Sequence, residues 1–231
     1  IGEKHTKKSL LKEFLVAKVY YSKKVTDTTI KNVEDTEQEE KCSEKPKENF
    51  ELCDMHRPLV GDCKLEFCNF ETKAGQSTFW HSSAHLLGSA IESLLGARLC
   101  IGPALEEGFY YDIDFGDDVI TENDLPIIEK KMKELASKDL RIVREELTKE
   151  QALEVFKNNP YKIELIEGIT EDITTFKQGD FVDLCRGPHI MSTGLIKHFK
   201  LLSLAGAYWR GNSKNKQLKA KIGRASCRER V

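Results

Sequence analysis

The stretch Trp80–Gly96, WHSSAHLLGSAIESLLG, constrains this chain most. At about 100° per residue, Ala84, Leu87, Ile91, Leu94 and Leu95 share one arc of a helix, and His81, His85, Gly88 and Glu92 share the arc beside it. The apolar arc must bury against another layer, so the helix is expected inside a fold. The two histidines, four residues apart, place their rings one turn apart on one face. Gly88 beside them leaves that face thin enough for another group to approach closely. Ser77 or Thr78 suits the start and Gly96 the stop.

A helical HxxxH has three readings. A bare one is most often a partly solvated face. Two such imidazoles also suit half of a zinc site. They suit equally a metal-free hydrogen-bonding and acid/base pair. What decides is which other groups converge on the helix.

At 231 residues the chain can hold one large domain or two small ones, and 39% apolar with 32% charged residues describes an ordinary globular protein. The net charge of −2 gives no global nucleic-acid signature, but its placement is uneven. Acids dominate from Glu106 to Glu129, whereas Leu184–Lys221 contains no Asp or Glu and carries Arg186, Lys197, Lys200, Arg210 and Lys214 among its bases. That segment is compatible with a phosphate-facing surface or with a solvated basic face. No run of eighteen apolar residues is present, so no transmembrane span is expected. Seven singly placed cysteines without a CxxC pair imply reduced thiols in a cytosol-like compartment, with an organelle as the alternative.

Along the chain, Ser9–Ala17 reads as helix and Val16–Tyr21 as strand, followed by a charged insertion at about 22–49. Phe50–Cys53 and Cys63–Phe70 read as further strands. After the histidine helix, Leu99–Asp114 supplies strand segments. Thr121–Asp124 and Thr148–Gln151 are capping boxes opening helices to about Lys138 and Phe156. Arg141–Leu147, Phe176–Leu184 and Phe199–Trp209 read as extended. The mixture lacks a strict βαβ rhythm and predicts an α+β layered fold. The last ten residues, IGRASCRERV, match a codon-by-codon translation of a common sequencing-adapter oligonucleotide, so 222–231 is expected to be an assembly artefact.

The second chemical cluster is Asp183-Leu-Cys185-Arg-Gly-Pro-His189. Gly187-Pro188 opposes a helix, so Cys185 and His189 belong on a tight turn at a strand end. HxxxH with CxxxH in one domain is more specific than either alone. The alternative is a surface turn with one buried cysteine.

HSSAHLLG, IGPALEEGFYYD, DLCRGPH and HFKLLSLAGAYWRGNSKN occur here in order, and closely resemble the editing domain of the threonyl-tRNA synthetases over about Phe79–Leu218. Upstream, LVAKV and ELCDMHRPLVGDCKLEFCNF resemble part of that family's TGS domain, a ubiquitin-like β-grasp. The resemblance implies a partial β-grasp unit over 1–76 and an α+β editing domain, with antiparallel sheet and packed helices, over 77–221. It implies hydrolysis of seryl-tRNA(Thr), with tRNA(Thr) and its serine and threonine esters as partners. Position by position, His81, His85, Lys162, Asp183, Cys185 and His189 match the family's editing pocket. His81 and Lys162 would act on water and charge, Asp183 would bind the seryl ammonium, and Cys185 and His189 would line the pocket. By itself Lys162 reads as a solvated lysine, and Tyr110 and Tyr111 as core aromatics, with stacking on the terminal adenine as the alternative. Arg186, Lys197, Lys200, Arg210 and Lys214 would face the tRNA. His81, His85, Cys185 and His189 can form a Cys/His₃ zinc set such as related alanyl-type domains use, but DLCRGPH is the threonyl form, which implies no metal. ATP, Mg and Zn are expected only for a ligase core beyond Lys221, in a full-length cytoplasmic homodimer. A freestanding deacylase and a non-catalytic tRNA-binding module are the alternatives.

Overall fold

A computed structural model describes residues 13–24, 50–118, 120–209, 213–214 and 217–226. β1 (Val16–Lys24), β2 (Glu51–Cys53) and β3 (Gly61–Cys68) form an antiparallel sheet in the order β2-β1-β3. Val16 and Ala17, expected to end a helix, belong to β1, because the branched and aromatic run VAKVYY fits a pleated surface better than a helix. The rest of that expected helix and most of the charged insertion lie outside the described residues.

The histidine helix α1 spans Lys73–Leu95, starting earlier than Ser77. Thr72 caps it, its Oγ1 accepting the Gly75 N–H at 3.1 Å. KAGQST shows no apolar period, which hid this first turn. Gly96 ends the helix in the left-handed region, its N–H donating to Glu92 O at 2.9 Å. From Thr78 to Ile91 α1 is buried on nearly all sides, the polar stripe included, with His85 2% exposed. The expected core residues Leu94 and Leu95 are instead 39% and 37% exposed, because the last turn runs past the layers that cover the rest.

One covering layer is an antiparallel sheet, β10 (His198–Tyr208), β11 (Gln217–Ser226), β6 (Gly108–Asp114) and β4 (Arg98–Leu99) in that order, with β5 (Ala104–Leu105) paired to β6. Helix α2 (Leu125–Ser137) packs on α1 and β10 through a core that includes Ile128, Met132 and Leu135. β11 pairs with both β10 and β6 and continues through Lys221 to Ser226. Residues 222–226, set aside on sequence grounds, thus occupy a ladder whose backbone hydrogen bonds depend little on side-chain identity.

The other layer is the antiparallel sheet β7 (Ile142–Leu147), β8 (Ile173–Gln178) and β9 (Phe181–Leu184). The expected single run Phe176–Leu184 is therefore two strands, reversing at Gly179-Asp180. Between β7 and β8 lie α3 (Lys149–Val155), opened by the expected capping box, and α4 (Pro160–Glu167), which was not expected. Every named strand pair is antiparallel, so the α+β reading holds. Among the described residues no helix is long and apolar enough to cross a membrane.

Candidate active site

The polar stripe of α1 meets the loop that follows β9. The His81 and His85 ring centroids are 5.0 Å apart, and the His189 ring lies 4.3 Å from the first and 4.1 Å from the second. Phe176 of β8 closes the far side of His189 at 4.5 Å. Gly187 (φ 75°) makes this possible: a Cβ there would sit 2.5 Å from the Phe176 ring. Gly88 plays the part its position in the stripe suggested, since a Cβ there would lie 2.9 Å from the Tyr111 ring.

Both nitrogens of His189 are engaged. Nδ1 lies 2.9 Å from Ser82 Oγ, and Nε2 lies 3.1 Å from Cys185 Sγ. Ser82 has one proton, and it points back along the helix to Thr78 O at 2.8 Å. Its oxygen also accepts the Ile190 N–H at 3.1 Å. The hydroxyl can therefore only accept from His189, which places the imidazole proton on Nδ1. Nε2 is left with a lone pair, which accepts the Cys185 thiol.

The second half of the site is a buried anion. Asp183 Oδ1 accepts Lys162 Nζ at 2.5 Å and the Leu184 N–H at 2.8 Å. Its Oδ2 accepts the Tyr111 hydroxyl and faces His85 Nε2 at 3.3 Å. Three donors and the facing His85 ring thus surround the carboxylate. Asp183 is 2% exposed. Lys162 is brought in by α4, whose N-cap Asn159 accepts the N–H groups of Tyr161 and Lys162 and is followed by Pro160. Asn159-Pro160 was the available signal for that helix. Lys162 is 3% exposed, the reverse of the solvated lysine that sequence alone suggests. Tyr111, read as core, is both core and site.

Burial sets the charge states. It lowers His85 to about 3 and His81 to about 4, against the pull of Asp183, and drives His189 well below its usual range. Burial also pushes the Cys185 thiol and the Tyr111 hydroxyl well up, with Asp183 adding to both. For Asp183 burial acts upward, but the Lys162 charge, His85 and the hydrogen bonds outweigh it and hold the carboxyl below its usual range. Near neutral pH the site is three neutral imidazoles and a thiol beside one ion pair. His81 is the least enclosed of the three rings.

Residues 173–219 match the family described as the threonyl and alanyl tRNA synthetase second additional domain. The chain is 50% identical over 179 residues to a threonine–tRNA ligase of Thermotoga neapolitana, covering 76% of this chain and 28% of that protein. Those of Cytophaga hutchinsonii (50% over 176 residues) and Bacteroides fragilis (49% over 174) each cover 74% of this chain and 27% of their own length. Its matched part belongs to the threonine–tRNA ligase family. The chain spans less than a third of the length of these curated relatives.

All six pocket positions expected from the threonine–tRNA ligase resemblance converge. The coordinating atoms of His81, His85, Cys185 and His189 lie within 4.8 Å of one another, so these four could hold a metal ion. The expected tRNA-facing bases are less uniform. Arg186, Lys197 and Lys214 are exposed, and Arg210 lies outside the described residues. Lys200 is exposed but paired with Glu129 of α2 at 3.0 Å, a carboxylate that also accepts the Leu201 N–H at 2.8 Å. Its charge is thereby partly neutralised. Sequence reasoning missed Ser82 and Asp54 as site groups, although Ser82 lies within HSSAHLLG; Asp54 carries no local motif.

Proposed function

We propose that this chain is the proofreading part of a longer threonine–tRNA ligase and hydrolyses the serine ester of tRNA(Thr). The convergence of His81, His85, Cys185 and His189 beside the buried Lys162–Asp183 pair carries this reading. A threonine-activating site cannot reject serine well, since one missing methyl is worth about 1–3 kcal/mol. A second site fitted to serine excludes threonine by volume and removes the error. His81 is neutral at working pH and can orient a water and accept its proton. Its low pKa makes it a modest base, which suits an ester that is already activated. Lys162 supplies positive charge near the developing oxyanion. Asp183 serves as the anchor that holds Lys162, Tyr111 and His85 in place. Exposed Arg186, Lys197 and Lys214 supply phosphate contacts. Threonine activation with ATP, and dimer formation, fall to sequence outside these 231 residues. The β-grasp assignment of the N-terminal unit belongs to the same reading.

We take hydrolysis to be metal-free. The Cys185–His189 hydrogen bond already satisfies a thiol and an imidazole that a metal would have to separate, taking the proton from the thiol. Were zinc bound by the four residues, it would supply Lewis-acid polarisation of the ester. Elemental analysis should find no stoichiometric zinc, and chelator should leave the rate intact.

The deciding experiment is single-turnover deacylation of seryl- and threonyl-tRNA(Thr) at saturating protein. The serine ester should decay much faster. His81→Ala should slow it by about 10²–10⁴-fold. Equal decay of the two esters, or full activity of His81→Ala, would leave a non-catalytic tRNA-binding module as the better reading.

A further inference from the structure

One hold on His189 comes from outside the pocket elements. Asp54 directly follows β2, in a turn closed by the Arg57 N–H on Asp54 O at 3.0 Å. Its Oδ1 accepts the backbone N–H of His189 at 2.6 Å, across 135 residues of sequence. Pro188 has no N–H, so His189 carries the first backbone donor after the Gly187-Pro188 turn. The loop is thus gripped at three kinds of point. Ser82 holds the His189 ring and the Ile190 N–H, Cys185 faces the other ring nitrogen, and Asp54 holds the main chain.

We infer that Asp54 is a positioning residue of the hydrolytic pocket, so that the N-terminal sheet is a working part of that pocket. The inference rests on the proposed hydrolase reading for its effect on rate, but the geometry behind it does not. A carboxylate accepting a main-chain N–H makes a charge-assisted bond, stronger than a neutral one. The Asp54 site is built for the purpose: burial raises its carboxyl, while the His189 N–H and the facing Arg57 and Arg144 charges act against that rise. Without the acceptor, the buried N–H is left unpaired and the 185–190 loop relaxes. The His189 ring then shifts against His81 and His85, and the Cys185 thiol loses its partner. Small displacements of this kind cost rate more than binding.

The test compares Asp54→Asn, which keeps an oxygen acceptor at Oδ1, with Asp54→Ala, which removes it. Asp54→Ala should slow single-turnover deacylation by about tenfold or more, with tRNA affinity unchanged, and Asp54→Asn should stay within about threefold of the parent. Two readouts need no substrate. The His189 amide proton should lie downfield in the parent and in Asp54→Asn and move upfield in Asp54→Ala. Alkylation of Cys185 by iodoacetamide, followed on its own peptide, should rise about tenfold in Asp54→Ala alone, with buried Cys100 unchanged as a control for global unfolding. Asp54→Ser, whose hydroxyl stops short of the His189 N–H, replaces the alanine variant if that one does not fold. An unmoved His189 amide and an unchanged Cys185 rate in Asp54→Ala overturn the inference. So does an asparagine variant as impaired as alanine. If the parent itself does not deacylate, the functional reading falls, while the amide and thiol readouts still decide the positioning of His189.

Discussion

Replacing Lys162 by methionine isolates the ion pair at the centre of the site. Lys162 and Asp183 are 3% and 2% exposed, and their contact is 2.5 Å. Removing one partner of such a buried pair costs about 3–5 kcal/mol, because the other charge is stranded. Total stability is only about 5–15 kcal/mol, so the loss is large. For a chain of this size it corresponds to a fall in Tm of roughly 6–20 °C. The pH dependence carries the sharper sign. In the parent, Asp183 titrates below its unfolded value. Its contribution is therefore complete above the unfolded carboxylate range and is lost only as pH falls through the folded value. In Lys162→Met burial prevails, so the folded carboxyl titrates above the unfolded one. The folded variant then holds its proton more tightly, and its stability declines as pH rises. The penalty of the substitution should thus be smaller at about pH 4.5 than at about pH 7.5. Adding Asp183→Asn should recover part of it, with a coupling of about 0.5–3 kcal/mol. Urea unfolding followed by circular dichroism at both pH values measures all three variants. A penalty under about 1 kcal/mol, or one equal at the two pH values, would refute the buried-pair reasoning.

Three shorter predictions follow from other parts of the fold. Asp112 is 7% exposed with Oδ1 unpartnered, and burial raises its carboxyl to about 6. It therefore destabilises the chain as pH rises, and Asp112→Asn should gain about 2–3 kcal/mol in urea melts near pH 7.5, a gain that shrinks towards pH 4. Thr72→Ala removes the α1 cap and should cost about 0.5–2 kcal/mol in the same melts, with the rate per folded molecule unchanged. Reversing exposed Lys197 and Lys214 to Glu should weaken tRNA binding and flatten its salt dependence in filter-binding titrations, without slowing saturated single-turnover hydrolysis. Lys200→Glu should in addition lower the melting temperature, since it sets two carboxylates against each other at Glu129.

Local periodicity and motif spacing determined much of this protein. The histidine helix, its stop at Gly96, both capping boxes, the β7 strand and the placement of Cys185 and His189 on a turn were legible in the chain. Each rests on interactions among residues close in sequence, where type and spacing decide the outcome. What depends on distant partners was not legible. The two stripes of α1 look alike in character to those of a surface helix, yet both are buried, because one sheet covers one side and a second sheet the other. Lys162 carries no local mark of burial and becomes an internal charge only when α4 delivers it to Asp183, 21 residues away. Tyr111 joins the site through a carboxylate 72 residues on, and Asp54 through a main-chain N–H 135 residues on. In sequence Asp183 was expected only as a ligand for an ammonium. The tertiary structure adds Lys162, Tyr111 and the Leu184 N–H as its donors, with His85 facing it. A carboxylate's lone pairs can be assigned only when every group that reaches them is known, and those groups come from four separate segments of the chain.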